Sequence, residues 1–235
     1  MSDNTKAFPY EKGSYTLYSC ATCPYAQRAL RALQLANVPY KLVEIDLLNK
    51  PSWYHLVNPQ LKVPTLRLPS GEILIESLVI AEFVADQFPE AQLLSTDAIE
   101  RAQLRLFIEL FSSRIIPAYY RLLRTADTAG QETEKQALLE GIWAVSKELE
   151  TQWERKSGNG GPFWYGDRFA FAEIATVSFA GLFRVLERYR GFSVPETEEY
   201  AGFNRWFAAV SEHPGFTGVK PDDDKLIASY KRFLP

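Results

Sequence analysis

Cysteine, histidine and methionine are scarce in this chain, with two, two and one among 235 residues. Two cysteines cannot build the disulfide framework of a small secreted domain, so the count favours a reducing compartment such as the cytosol. A structural zinc site takes about four nitrogen or sulfur ligands. Cys20, Cys23, His55 and His213 are too scattered to supply such a set, and no metal is expected. Positive charge is also not in excess: 26 Lys and Arg stand against 29 Asp and Glu, a net charge of −3. Dividing the chain near residue 95 leaves 8 basic and 9 acidic residues before it and 18 and 20 after it, so neither part hides a basic surface. Nucleic acid, whose binding rests on neutralising phosphates, is therefore not an expected class of partner.

Long apolar runs are missing too. The least polar stretch, Phe169 to Phe183, carries Glu173, Thr176 and Ser178 and falls short of the ~20 residues that span a bilayer, so it reads as a helix buried in a protein core. Met1 to Lys12 is polar and lacks the apolar segment of a secretory signal. What the chain does have is ordinary globular composition, 46% hydrophobic and 23% charged, with a high aromatic share of 14%. Nine of the aromatics precede Phe88; the rest crowd the later part of the chain, where they can pack a core and wall an apolar site.

Two periodicities alternate over the first 90 residues. Ser14 to Ser19 reads as a strand, Pro24 to Ala36 as a helix with apolar residues at 26, 29, 30, 33 and 36, and Tyr40 to Asp46 as a second strand. Asn37-Val38-Pro39 breaks the helix from the strand. Strand, helix and strand in so short a span make a βαβ unit, whose crossover forces parallel strands. A short helix over Ser52 to Val57 follows, then Pro64 to Leu68 and Glu72 to Ile75 as a hairpin around Pro69-Ser70-Gly71, then a helix opened by Glu76-Ser77 and closed at Phe88-Pro89. From Asp97 onward only helical spacing remains: Asp97 to about Arg124 with a bend at Pro117, Thr133 to Lys156, Phe171 to Tyr189, Glu199 to His213, and Asp223 to Phe233. Ser157-Gly158-Asn159-Gly160-Gly161-Pro162 reads as a loop. The expected layout is a βαβαββα domain over residues 1–90, a short linker, and an all-helical domain over 97–235.

The residues that carry chemistry are Cys23-Pro24-Tyr25-Ala26-Gln27-Arg28, where the first strand gives way to the first helix. Proline is favoured at the first helical position, which makes Cys23 the N-cap. Its sulfur then faces the N–H groups of Tyr25 and Ala26 and the positive end of the helix dipole, which stabilise the nucleophilic thiolate. Cysteines are often inert core residues; the strand-Cys-Pro-helix context favours the nucleophile here. Cys20 and Cys23 also spell Cys-x-x-Cys. A thioredoxin-type partner would lie three residues after the N-cap, where Ala26 stands, so Cys20 reads as a small core residue or as half of a reversible Cys20-Cys23 disulfide.

With Lys62-Val63-Pro64-Thr65, Ile75-Glu76-Ser77 and the helical second part, this site resembles the cysteine-type glutathione transferases, most nearly the omega class, with the lambda class and the dehydroascorbate reductases as neighbours. The resemblance implies a thioredoxin-like, glutathione-binding N-terminal domain and an all-α substrate domain. It implies Cys23 as catalytic residue and glutathione as co-substrate, held by Pro24, Tyr25, Lys62, Val63, Pro64, Glu76 and Ser77. Pro64 would be cis, leaving the Val63 backbone to pair with the cysteinyl unit of glutathione. Ser77 would take the γ-glutamyl carboxylate and Glu76 its ammonium, although plain helix capping explains this pair equally well. Relatives carry a lysine where this chain has Val57, leaving Lys62 for the glycine carboxylate. Phe111, Arg114, Tyr119, Tyr120, Trp164 and Arg184 are candidates for the acceptor site. Relatives also cap the core helix of the second domain with Ser or Thr, where Ala170 stands here, so Asp167 or another group should compensate.

The resemblance further implies a thiol transferase or reductase working through a mixed disulfide with Cys23, on glutathionylated proteins, glutathionyl-ketones or dehydroascorbate. The acceptor would be small and apolar or aromatic, and a homodimer is common in the family. The alternative is a non-catalytic ligand carrier that binds glutathione conjugates or aromatic compounds. A membrane-inserting relative is disfavoured because Arg28 and Arg31 interrupt the first helix.

Overall fold

The computed structural model describes residues 8–156 and 160–235, so the first seven residues of the expected polar N-terminus and Ser157-Gly158-Asn159 of the expected loop lie outside it. The chain divides into two compact units between Leu94 and Ser95.

The first unit is a four-stranded sheet with two helices. β1 (Tyr15–Ser19) pairs in parallel with β2 (Tyr40–Glu44), joined by α1 (Pro24–Leu35), as a βαβ crossover requires. On its other side β1 pairs antiparallel with β3 (Thr65–Arg67), which pairs antiparallel with β4 (Ile73–Ile75), giving the order β2-β1-β3-β4. Leu17 and Leu66, opposite each other, are fully buried. α1 stops at Asn37, whose φ of +52° suits asparagine better than most residues. Its buried face presents Ala26, Ala29, Ala32 and Leu33, and it packs against α2 (Ser77–Gln87). Small side chains let the two helices approach closely. This is the thioredoxin-like arrangement.

The second unit is helical: α3 (Ala98–Arg124), α4 (Thr128–Arg155), α5 (Phe171–Ala180), α6 (Phe183–Arg190), α7 (Ala201–Glu212), α8 (Pro214–Thr217) and α9 (Asp223–Tyr230). Asp97 caps α3 as expected, accepting the Glu100 N–H at 2.8 Å, and α3 runs on through Pro117 to Arg124. α4 starts five residues before the expected Thr133 because Asp127 caps it, taking the Gly130 N–H at 2.7 Å. The helix expected over Phe171 to Tyr189 is two, α5 and α6, divided at Gly181-Leu182. Every residue of α5 is buried, as its lack of polarity foretold. No helix among the described residues is long and apolar enough to cross a membrane.

Ala170 does stand at the N-cap of α5, where it cannot accept a bond, and Asp167 is not the substitute. Glu173 is. Its Oε2 reaches back to accept the Ala170 N–H at 3.0 Å, while Oε1 accepts the Trp164 N–H at 3.0 Å and the Trp206 indole N–H at 3.2 Å. One carboxyl thus ties the start of α5 to the strap before it and to α7. Glu173 is fully buried, and desolvation raises its pKa against the pull of these donors. The folded chain therefore holds the Glu173 proton to higher pH than the unfolded chain, so this group's contribution to stability falls as pH rises from the ordinary glutamate value to the raised one. In denaturant titrations from about pH 4 upward, the stability advantage of the parent over Glu173→Gln should shrink with rising pH. A pH-independent difference would contradict the assignment.

Candidate functional site

At the end of β1 the chain turns through Cys20-Ala21-Thr22-Cys23, closed by the Cys23 N–H donating to the Cys20 carbonyl at 3.0 Å. The turn is clamped from both sides: the Ala21 N–H donates to Glu44 Oε1 and the Gln27 side chain donates to the Ala21 carbonyl, each at 2.8 Å. Cys23 is the N-cap of α1, extended at φ −90° and ψ 116°, with Pro24 following. Its carbonyl accepts the Gln27 N–H at 3.1 Å while its sulfur makes no capping bond, so the helix acts on the sulfur through its dipole. Cys23 is half-buried, and Tyr25 beside it is 38% exposed.

Arg28, one turn on, is 3% exposed. Its guanidinium lies 5.5 Å from the centre of the Tyr25 ring and donates to Ser77 Oγ at 3.3 Å. Burial lowers its pKa to about 10, a drop opposed by the negative charge available at Tyr25 and Cys23. It remains a cation at neutral pH. Tyr25 shows the reciprocal effect: burial raises its pKa, Arg28 lowers it and Cys23 raises it further. A neighbouring cation and a helix N-terminus are the two features that favour a thiolate over a thiol.

The second part of the site is the loop before β3. The Val63-Pro64 bond is cis, and no hydrogen bond among the described residues engages the Val63 N–H or C=O. What holds the loop is the carbonyl next door. Lys62 C=O accepts from Tyr54 Oη at 2.7 Å, Asn58 Nδ2 at 3.0 Å and Thr65 Oγ1 at 3.3 Å. Tyr54, Asn58 and Thr65 are all buried, and burial pushes the Tyr54 phenol up to about 12. Val63 and Cys23 pack against one apolar cluster with Cys20, Ala26 and Tyr54. Val57, where relatives carry lysine, belongs to that cluster and is 2% exposed, so the position faces inward here. Lys62 keeps its side chain exposed.

The third part is the start of α2. Glu76 is exposed and sits at φ +67°, ψ 118°, a region that a residue with a Cβ rarely occupies. Its carbonyl accepts the Ile80 N–H, so the N–H groups of Ser77, Leu78 and Val79 have no partner inside the helix. Ser77 is buried against Arg28.

The helical unit treats the acceptor candidates unequally. Phe111, Tyr119 and Trp164 are core side chains with 0%, 2% and 0% exposure, Trp164 stacking on Phe107 at 4.5 Å. Such side chains pack a core and present no open wall. Arg184 is ion-paired with Asp223. Tyr120 is half-buried beside Arg124, and Arg114 is exposed on α3. The sequence motif included Arg28 without a role for it, and Tyr54 and Asn58 were overlooked. The four-residue spacing of Tyr54 and Asn58, one helical turn, was the available signal.

These features have counterparts. Residues 17–92 match the family description "Glutathione S-transferase, N-terminal domain". A probable glutathione transferase omega-2 of Caenorhabditis briggsae is 35% identical over 144 residues, 61% of this chain and 56% of that one. The chain spans just over half the length of the curated relatives it matches. Glutathione transferase Omega 1C of Trametes versicolor is 30% identical with a TM-score of 0.75, over 94% of this chain and 98% of that one. Omega 2S from the same organism, solved with 2,4-dihydroxybenzophenone, is 26% identical with a TM-score of 0.75, over 93% and 98%. The chain belongs to the glutathione transferases, and these relatives are of the omega class.

The Lys62 network can be tested by its loss. Tyr54→Phe removes one of the three donors to the Lys62 carbonyl and should cost about 1 kcal/mol in denaturant unfolding. In steady-state kinetics the variant should show a raised KM for glutathione with kcat little changed, because the hydroxyl positions the loop and does not touch the sulfur.

Proposed function

We propose that the chain is a glutathione-dependent thiol transferase and reductase that works through a mixed disulfide between Cys23 and glutathione. The observation that carries the reading is the placement of Cys23 at the N-cap of α1, with the Arg28 cation close by and the unengaged Val63 backbone packed on the same cluster. Most transferases of this general kind activate the glutathione thiol itself with a hydroxyl. A cysteine in that place makes the protein the nucleophile.

The Cys23 thiolate attacks the glutathione sulfur of a glutathionylated substrate. The substrate's S–S bond breaks, its thiol leaves, and Cys23 carries glutathione in mixed disulfide. A glutathione thiolate then attacks that adduct, giving glutathione disulfide and restoring the Cys23 thiolate. Ala26 stands where a thioredoxin-type resolving cysteine would, so an external glutathione closes this cycle. Docking of the tripeptide follows from the site: the Val63 N–H and C=O pair with its cysteinyl backbone beside Pro64, the N–H groups at the start of α2 with Ser77 take the γ-glutamyl carboxylate, Glu76 takes the ammonium, and Lys62 reaches the glycine carboxylate. Glutathionylated proteins, glutathionyl-ketones and dehydroascorbate are the acceptor classes this chemistry serves, in a reducing compartment such as the cytosol.

A second reading, a carrier of aromatic ligands, is favoured by one observation, the 2,4-dihydroxybenzophenone with which the Omega 2S relative was solved. The two readings part at Cys23. Cys23→Ser should reduce turnover of a small glutathione mixed disulfide by orders of magnitude while glutathione binding by calorimetry persists. Retention of most of the activity would overturn the transferase reading and leave the carrier.

A further inference from the structure

The mixed-disulfide cycle makes no use of Cys20, yet the structure places it at the other end of the turn that presents the reacting sulfur. Cys20 and Cys23 are the two ends of one hydrogen-bonded turn. Such a turn holds its end Cα atoms within about 7 Å, and a disulfide closes over Cα separations of about 4.4–6.8 Å. Glu44 from β2 and Gln27 from α1 clamp the turn at Ala21, so the spacing is built in and not a passing excursion. The Cys20 sulfur lies 3.6 Å from Thr22 Oγ1, leaning along the turn toward the residue that adjoins Cys23. Both cysteines pack against the same apolar cluster, and the structure shows no disulfide. Their exposure differs: Cys20 is 9% exposed and Cys23 half-buried. An electrophile from solvent meets Cys23, and oxidation reaches Cys20 by way of Cys23.

We propose that Cys20 is a resolving thiol that captures the Cys23–glutathione adduct from within the chain, an inference that rests on the mixed-disulfide reading above. Cys20 loses its proton and attacks the Cys23 sulfur. The bond from Cys23 to glutathione breaks, glutathione leaves as a thiolate and takes up a proton, and Cys20 and Cys23 are joined. The two thiols are oxidised by one disulfide equivalent, which arrived with the substrate. Where glutathione is abundant, external attack on the adduct competes. Where it is scarce, the internal route stores Cys23 as a disulfide that later glutathione reopens, and that stored form is shielded from irreversible sulfur oxidation. The arrangement inverts the thioredoxin order: the resolving cysteine precedes the nucleophile, at the end of a strand, instead of following it along the helix.

The test treats the reduced, glutathione-free chain with excess glutathione disulfide, quenches in acid, counts the glutathione released and maps the peptides without reduction. The parent should release two equivalents and yield a peptide linking Cys20 to Cys23. Cys20→Ser should release one and keep glutathione on Cys23, and Cys20→Ala should behave alike, which separates loss of the thiol from any disturbance by a buried hydroxyl. A parent that stops at one equivalent with the adduct intact overturns the resolving role and leaves the transferase reading standing. Failure of Cys23 to take up glutathione in all three chains overturns the transferase reading and this inference with it.

Discussion

The site depends on one buried cation. Arg28 sits on the inward face of α1 with its guanidinium against Ser77, the first residue of α2, and within electrostatic reach of Cys23, the cap of α1. Each helix start already carries roughly half a positive charge from its aligned peptides. Three sources of positive potential are therefore associated with the site, the guanidinium among them buried. Such an arrangement favours anions. A thiolate at one helix start and a carboxylate at the other are the two anions that the proposed reaction brings, and the same guanidinium favours both. In the proposed reaction, nucleophile and substrate anchor are thus coupled through a side chain that takes no part in the bond exchange.

Around that charge the architecture supplies rigidity from few parts. β3 and β4 have only three residues each, too short to position a loop by ladder bonds alone. The Lys62 carbonyl makes up the deficit, gathering donors from a short helix, from the residue just beyond it and from β3 itself. The helical unit solves an analogous problem with Glu173, which collects N–H groups from three separate segments. In both places one acceptor with several donors replaces a longer stretch of regular structure.

The legible parts of the molecule were those governed by local rules. Strand and helix periods located the four strands and the two long helices of the first unit, and Cys23-Pro24 declared its own N-cap, because capping and proline geometry act over two or three residues. The boundary at Gly181-Leu182 was invisible to periodicity because α5 is buried on all sides and shows no polar face to mark its end. The early start of α4 was carried by Asp127, a cap followed by Thr128-Ala129-Gly130 with no large apolar side chain to begin a helical period. Arg28 and Arg31 read as polar interruptions of α1. That tertiary packing covers them, leaving 3% and 0% exposed, is a fact which no local pattern encodes. For the same reason Phe111, Tyr119 and Trp164 could be recognised as aromatics on helices or straps but not sorted between core and surface.

Glu76 has a wider implication. It holds a backbone conformation that costs of order 1–3 kcal/mol for a residue with a side chain, in a unit whose net stability is only a few times that. Glycine would occupy the position without strain. The chain keeps a carboxylate there instead, and under the proposed docking durability and recognition pull in opposite directions at this position. A programme that raised the melting temperature of this fold by replacing left-handed residues with glycine would begin at Asn37, Leu61 and Gln92; at the fourth, Glu76, it would remove the carboxylate that the proposed docking assigns to the γ-glutamyl ammonium.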